Sequence, residues 1–157
     1  MKILISNTLT RKSFDVINIL LIHFSNTELI FGFSKSEKLK MKLIYRTVNS
    51  ELLRKDENFF SDLDTISEKY KHEDIVFIPV EEETTLMFLK YINKFGERNF
   101  KFSLPDLKFF NLSRNKNELN IFCEKKEIPC PKSISEKDFH SKKFDFPIIV
   151  KPKNGSG

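Results

Sequence analysis

Short apolar runs alternate with segments of helical periodicity along the first half of the chain. Four runs stand at residues 2–6 (KILIS), 28–33 (ELIFGF), 42–47 (KLIYRT) and 74–79 (DIVFIP). Runs that are apolar at successive positions are typical of strands covered on both faces. Helical spacing joins Phe14, Ile17, Leu21 and Phe24 in the first connection, and Phe60, Leu63, Ile66 and Tyr70 in the third. The alternation predicts an α/β fold, in which the four runs form a Rossmann-like open parallel sheet with helices on both faces.

The pattern of the later elements is less regular. Residues 81–96 (EEETTLMFLKYINKFG) predict a helix, because they begin with acids and end at a glycine. A short fifth strand is expected at 101–105 (KFSLP), a helix from about 115 to 127, and a last strand at 146–151 (FPIIVK). The strand–helix rhythm ends between residues 105 and 114. We therefore predict a first domain at residues 1–108 and a second at 109–157.

Composition and local motifs argue against several classes of protein. No apolar run approaches the roughly 18 residues of a membrane-spanning helix, and the N-terminus lacks a signal-peptide cleavage site, so we expect a cytoplasmic protein. The net charge of +5 comes from lysines spread along the chain, which does not favour nucleic-acid binding. The first turn, SNTLTRKS, contains no glycine, so a nicotinamide or flavin dehydrogenase is not expected. Cys123, Cys130 and the three histidines lack ligand spacing, so structural roles are favoured for them.

Two lysines stand in unusual contexts. Lys116 lies in the first turn of its expected helix, where the macrodipole disfavours a cation, and it shares a helical stripe with Leu112, Leu119 and Cys123. A nearby anion would explain this placement, and so would a stem that packs on the stripe while the ammonium reaches water. Lys151 ends an apolar run and precedes a proline and a Gly-Ser-Gly turn, whose N–H groups could face a phosphate. Taken alone, this second pattern also fits an ordinary surface turn.

Three segments, in order, resemble motifs of one enzyme family. DIVFIPVEEETTLMFLKYINKF is similar to the segment that ends the first α/β domain in proteins related to the large chain of carbamoyl phosphate synthase. NLSRNKNELNIFCEKKEIPCPKS is similar to the Asp-Lys helix followed by GIPVP, and FDFPIIVKPKNGSG is similar to FPVVVKP and its glycine-rich loop. Together they cover about residues 74–157 and resemble the ATP-grasp family. Asn115 stands in place of the usual Asp, and Glu127 in place of the usual Gly.

The resemblance implies an ATP-dependent carboxylate–amine ligase, or a carbamoyl-phosphate-forming ligase, that acts through an acyl phosphate. It implies that Lys116 and Lys151 contact the ATP phosphates, and that Gly155, Ser156 and Gly157 begin the loop that covers them. Residues 1–108 then correspond to the domain that precedes the ATP-grasp domain, and residues 109–157 to the beginning of the ATP-grasp domain, with an incomplete lid segment. Glu82 and Glu83 match paired acids at an edge that faces the substrate in the family, although a favourable charge at a helix N-terminus is the preferred explanation for them.

The same resemblance implies that these 157 residues form the N-terminal part of a longer enzyme. The family's ligands for Mg²⁺ would follow Gly157, so we expect the 157 residues alone to be inactive. The expected partners are a small carboxylate and an amine, and self-association into a homo-oligomer is left open. The alternative is a stand-alone α/β ligand-binding module without catalysis, and a nucleic-acid-binding domain, which has only the net charge in its favour, ranks third.

Overall fold

The structure is a computed structural model that describes residues 1–25, 28–34, 49–134, 136–141 and 147–153. The chain divides into two compact units, Met1–Leu104 and Pro105–Gly157. The division lies close to the domain boundary that we predicted at residue 108.

The first unit is built on a five-stranded, all-parallel sheet with the strand order β3-β2-β1-β4-β5. Its strands are β1 (Lys2–Ile5), β2 (Leu29–Phe33), β3 (Asn49–Leu52), β4 (Ile75–Ile78) and β5 (Phe100–Lys101). The first, second and fourth predicted runs form β1, β2 and β4. The predicted α/β fold is therefore confirmed, and its parallel sheet is consistent with a Rossmann-like arrangement.

Helices cover both faces of this sheet. Successive residues of a strand point to opposite sides, so each face presents its own set of apolar side chains to the helices. On one face, Ile3, Ile5, Phe31 and other apolar strand residues pack with Ile17 of α1 (Arg11–His23). On the other face, Leu4 and its neighbours pack with α2 (Phe59–Lys69) and α3 (Glu82–Phe95). The buried contacts of these two helices come from Phe59, Leu63, Ile66, Phe88 and Tyr91. The prediction of helices on both faces is confirmed.

The predicted helix α1 differs from the structure at one position, and the predicted end of α3 is observed. In α1 the side chain of Leu21 is exposed, and Leu20 takes its place against the core with Ile17 and Phe24. The predicted stripe was wrong at this position, since the spacing alone allows either neighbour to face the sheet. The end of α3 is as predicted: Gly96 follows it with φ 79°, and its N–H donates to the carbonyl of Ile92.

The third strand differs from the prediction. The predicted strand at 42–47 lies outside the described residues, and the third strand of the sheet is Asn49–Leu52, with the polar sequence NSEL. This strand lies at the edge of the sheet and is only partly buried, so it needs no apolar run. The fifth strand is shorter and slightly earlier than KFSLP predicted.

The described part of the second unit contains three helices, α4 (Leu107–Arg114), α5 (Lys116–Lys125) and α6 (Glu136–His140). Asn115 separates α4 from α5, so Leu112 and Lys116 lie on different helices and the predicted single stripe through them was wrong. The predicted strand at 146–151 is not formed over its described part, where Ile149 and Val150 are each 82% exposed. A strand requires a hydrogen-bonded neighbour, and an apolar run does not supply one.

Candidate functional site

The strand order indicates where a crevice can form at the carboxyl ends of the strands. From β1 the chain proceeds to β2 and β3 on one side, and it then crosses to β4 and β5 on the other side. The carboxyl ends of β1 and β4 are therefore neighbours at a topological switch point. In open α/β sheets, ligands bind outside the carboxyl ends of the strands at such a point.

Small polar side chains, which are buried, connect the two strand ends. The Ser6 hydroxyl follows β1; it lies 3.2 Å from the Thr84 hydroxyl and accepts the N–H of Val80 at 3.1 Å. The Thr8 hydroxyl donates to the carbonyl of Gly32 at 3.0 Å. These hydroxyls have partners within the protein, so they fix the turn after β1 against β2, β4 and the start of α3.

Asn7 lies at the centre of this turn and is 5% exposed. Its φ of 58° is in the left-handed region, which Asn tolerates better than most residues. Its amide nitrogen donates to Oε2 of Glu81, and its carbonyl accepts the hydroxyl of Ser13 in α1. Its amide oxygen, Oδ1, is buried and makes no hydrogen bond among the described residues. A buried acceptor without a partner costs about 1–3 kcal/mol, so this atom requires an explanation.

Glu81 joins a third segment to the site. Oε2 of Glu81 accepts from the amide of Asn7 and, at 2.9 Å, from the ammonium of Lys55. Lys55 lies in the connection between β3 and α2, and the Lys55 and Glu81 side chains are 37% and 32% exposed. The N-terminal end of α3 is anchored as well, because the hydroxyls of Thr84 and Thr85 donate to the carbonyl of Glu81, the residue that caps this helix.

The predicted acids Glu82 and Glu83 form the first turn of α3, where Glu82 is partly buried and Glu83 is exposed. The sequence interpretation missed Asn7, Lys55 and Glu81. Glu81 carried a signal, since it directly follows the strand segment DIVFIPV. Asn7 and Lys55 carried none, because only the fold brings them to Glu81.

In the second unit, Lys116 contacts the segment that contains Lys151. The N–H of Lys116 donates to the carbonyl of Lys153 at 3.1 Å, and its ammonium donates to the carbonyl of Pro152 at 2.9 Å. Lys151 is exposed at the start of this segment. The two predicted lysine-bearing segments therefore lie together, although 35 positions separate the lysines. The predicted loop residues Gly155, Ser156 and Gly157 lie outside the described residues.

Asn115 and Glu127 lie at the two ends of α5. Asn115 caps the helix, because its side-chain oxygen accepts the N–H of Glu118 at 3.3 Å. At the other end Glu127 has φ 56°, the left-handed conformation that glycine adopts most easily. The N–H groups of Glu127 and Ile128 donate to the carbonyls of Glu124 and Cys123, which is the Schellman pattern of helix termination. Position 127 thus keeps the backbone geometry of a C-terminal glycine.

The remaining candidate groups are less informative. Partial burial, with a smaller contribution from Cys123, raises the pKa of the Cys130 thiol, so this thiol is not activated as a nucleophile. Within the described ranges, no three His, Cys, Asp or Glu side chains are placed to hold a metal ion. None of the helices in the described part of the chain is long and apolar enough to cross a membrane.

No protein-family model matches this chain, and a search of curated proteins likewise found no match.

Proposed function

We propose that the protein that carries this sequence is an ATP-dependent ligase of the ATP-grasp type, similar to the large chain of carbamoyl phosphate synthase. In the proposed reaction, a carboxylate or bicarbonate oxygen attacks the γ-phosphorus of ATP and ADP leaves. An amine then attacks the carbon of the resulting acyl phosphate, and inorganic phosphate leaves. The amine loses a proton in this second step, so the product is an amide or, from bicarbonate and ammonia, a carbamate.

The contact between Lys116 and residues 152–153 is the observation that carries the proposal. In an ATP-grasp enzyme the lysine of the Asp-Lys helix and the lysine of the VKP segment contact the same triphosphate. Here the hydrogen bonds from Lys116 to the carbonyls of Pro152 and Lys153 hold these two segments together. Lys116 and Lys151 place two positive charges on these adjacent segments, and this concentration of positive charge favours an anionic ligand.

The ends of α5 give secondary support. The helix begins at the residue that aligns with the family's lysine, and Asn115 keeps the capping role of the family's aspartate. The left-handed backbone of Glu127 matches the family's glycine at that position. Bound Mg²⁺ would neutralise phosphate charge during transfer. We assign no Mg²⁺ ligands among the described residues.

Nucleotide titration of lysine variants tests the phosphate contacts. A charge-assisted hydrogen bond is worth about 1.5–3 kcal/mol, so Lys116→Met or Lys151→Met should weaken ATP binding by the intact protein about tenfold to a hundredfold. Lys125→Met is a matched control, because Lys125 lies in the last turn of the same helix and is exposed. Calorimetric titration with a non-hydrolysable ATP analogue measures all three. If both test variants bind as tightly as the parent, the ligase proposal fails.

A second candidate function is a ligand-binding module without catalysis. The buried, unpartnered Oδ1 of Asn7 at the switch point favours it, because a bound molecule would supply the missing donor. The two candidates differ in their dependence on nucleotide. The module predicts small-molecule binding by the first unit with no ATP affinity, whereas the ligase requires ATP binding through Lys116 and Lys151.

A further inference from the structure

We infer that the switch point of the first unit binds the amino group of a small molecule, with Asn7 Oδ1 and Glu81 Oε1 as acceptors and with Lys55 as an internal competitor. This site is formed by residues 7, 55 and 81. The inference is independent of the proposed ligase function, since it uses no residue of the second unit and no nucleotide.

The orientation of the Asn7 amide is fixed by its neighbour. The amide nitrogen donates to Oε2 of Glu81, and a flipped amide would place its oxygen against the carboxylate, where no proton separates them. The oxygen is therefore the atom that is left without a donor. Asn7 is only 5% exposed and its Oδ1 is buried, so an outside donor reaches this oxygen only when a neighbouring side chain moves.

The neighbouring hydroxyls cannot supply the missing donor in their observed arrangement. The hydroxyl of Thr8 donates to the carbonyl of Gly32, and that of Thr84 donates to the carbonyl of Glu81. The hydroxyl of Ser13 donates to the backbone carbonyl of Asn7 itself. The turn is thus complete except for one buried acceptor, whose donor must come from outside the turn.

Glu81 adds a charged acceptor beside Asn7. Both of its donors within the described residues, Asn7 and Lys55, use Oε2. Oε1 makes no hydrogen bond to another described residue. Asn7 Oδ1 is a neutral acceptor and Glu81 Oε1 is an anionic acceptor, and the two side chains are in contact. Together they select a ligand that donates hydrogen bonds and carries a positive charge. An amino group in its ammonium form satisfies both requirements, whereas a phosphate or carboxylate would be repelled.

Lys55 shows that an ammonium group fits against this carboxylate. Its Nζ lies 2.9 Å from Oε2, yet its side chain remains 37% exposed. An exposed ion pair contributes little, and a lysine stem has many alternative rotamers, so a ligand amine can displace it. In the unliganded protein, Lys55 therefore neutralises the charge of Glu81. A ligand amine must compete with Lys55 for this carboxylate.

Methylammonium is a suitable probe, with tetramethylammonium as its matched control. Both are monovalent cations, but only methylammonium has N–H donors. Because methylammonium has two non-hydrogen atoms, we expect a dissociation constant on the order of 10 mM. Two-dimensional amide NMR of the whole chain at constant ionic strength should show saturable shifts at Asn7, Thr8 and Glu81 with methylammonium alone.

Variants distinguish a designed site from weak cation binding. Lys55→Met should tighten methylammonium binding about two- to fivefold, because it removes the competing ion pair. Asn7→Gly, which accepts the left-handed φ, and Glu81→Gln should each weaken binding about tenfold. Glu68→Gln is the control for the charge change, since Glu68 is exposed on α2, and it should leave binding unchanged.

Three results would overturn the inference. The first is the absence of saturable shifts at these residues up to about 200 mM methylammonium, a concentration well above the expected dissociation constant. The second is an equal response to tetramethylammonium, which would show a cation effect without hydrogen bonding. The third is weaker binding in Lys55→Met, which would make Lys55 a contributor to the site. The first two use the unmodified chain, so they hold even if a variant fails to fold.

Discussion

Glu127→Gly should stabilise the C-terminal end of α5. Glu127 has φ 56°, and a side chain in the left-handed region costs about 1–2 kcal/mol because its Cβ approaches the carbonyl oxygen. Glycine removes this cost, but it makes the unfolded chain more flexible, which costs about 0.4–1 kcal/mol. The exposed side chain of Glu127 contributes little packing. The net stabilisation is therefore about 0.5–1 kcal/mol.

Hydrogen exchange measures this effect locally. The N–H groups of Lys126 and Ile128 both donate to the carbonyl of Cys123, at 3.1 and 2.9 Å, so they open when the helix end frays. A stabilisation of about 0.5–1 kcal/mol slows their exchange about two- to fivefold, after correction for the intrinsic rates of the changed sequence. Amide NMR resolves the two positions separately.

Lys126→Gly is the matched control, one residue earlier. Lys126 has φ −102°, which any residue adopts, so glycine there only adds flexibility and should speed exchange by a similar factor. Opposite effects at adjacent positions would show that the backbone conformation is responsible. If Glu127→Gly leaves exchange unchanged or speeds it, position 127 does not have the left-handed strain described here, and its support for the ATP-grasp resemblance is lost.

Three further perturbations test the first unit by urea unfolding. Asn99→Ala should destabilise it by about 2–3 kcal/mol, because the Asn99 amide donates at 3.0 Å to the carbonyls of both Tyr70 and Glu73. Burial and the hydrogen bond to Asp64 raise the pKa of Tyr91. The protonated hydroxyl therefore stabilises the folded protein fully below pH 10, and this stabilisation declines as the pH rises further. Tyr91→Phe should reduce this alkaline loss of stability. Gly32→Ala should cost about 1–3 kcal/mol, because its Cβ would lie 2.8 Å from Leu53 Cδ2.

Each of these predictions has a control. Asn93→Ala, on the exposed side of α3, should leave stability within about 0.5 kcal/mol of the parent. Tyr91→Phe should be less stable than the parent at pH 8. If the free energy of unfolding of Tyr91→Phe falls above pH 10 as steeply as that of the parent, other groups cause the alkaline loss. Leu53→Ala should make Gly32→Ala less costly than it is in the parent, and additive effects of these two changes would contradict the proposed clash.

The sequence alone determined the elements whose residues carry a strong local pattern. Three apolar runs became β1, β2 and β4, since a strand covered on both faces must be apolar at successive positions. An acidic start and a glycine stop likewise identified α3, and the expected helix from about 115 to 127 became α5. The short motifs also drew attention to Lys116, because the helix macrodipole disfavours a cation at a helix start, and to Lys151, because it precedes a Gly-Ser-Gly turn.

The tertiary structure decided what depends on neighbours. The polar sequence NSEL became β3 because an edge position tolerates it, whereas the apolar run at 147–151 did not become a strand, because a strand exists only through pairing. The group formed by Asn7, Lys55 and Glu81 depends on the strand order, which places β1 beside β4 although more than 70 residues separate Asn7 from Glu81. Local pattern reflects the solvent exposure of each residue, but the partner of a buried polar atom is set by the crossover of the chain, which no local pattern encodes.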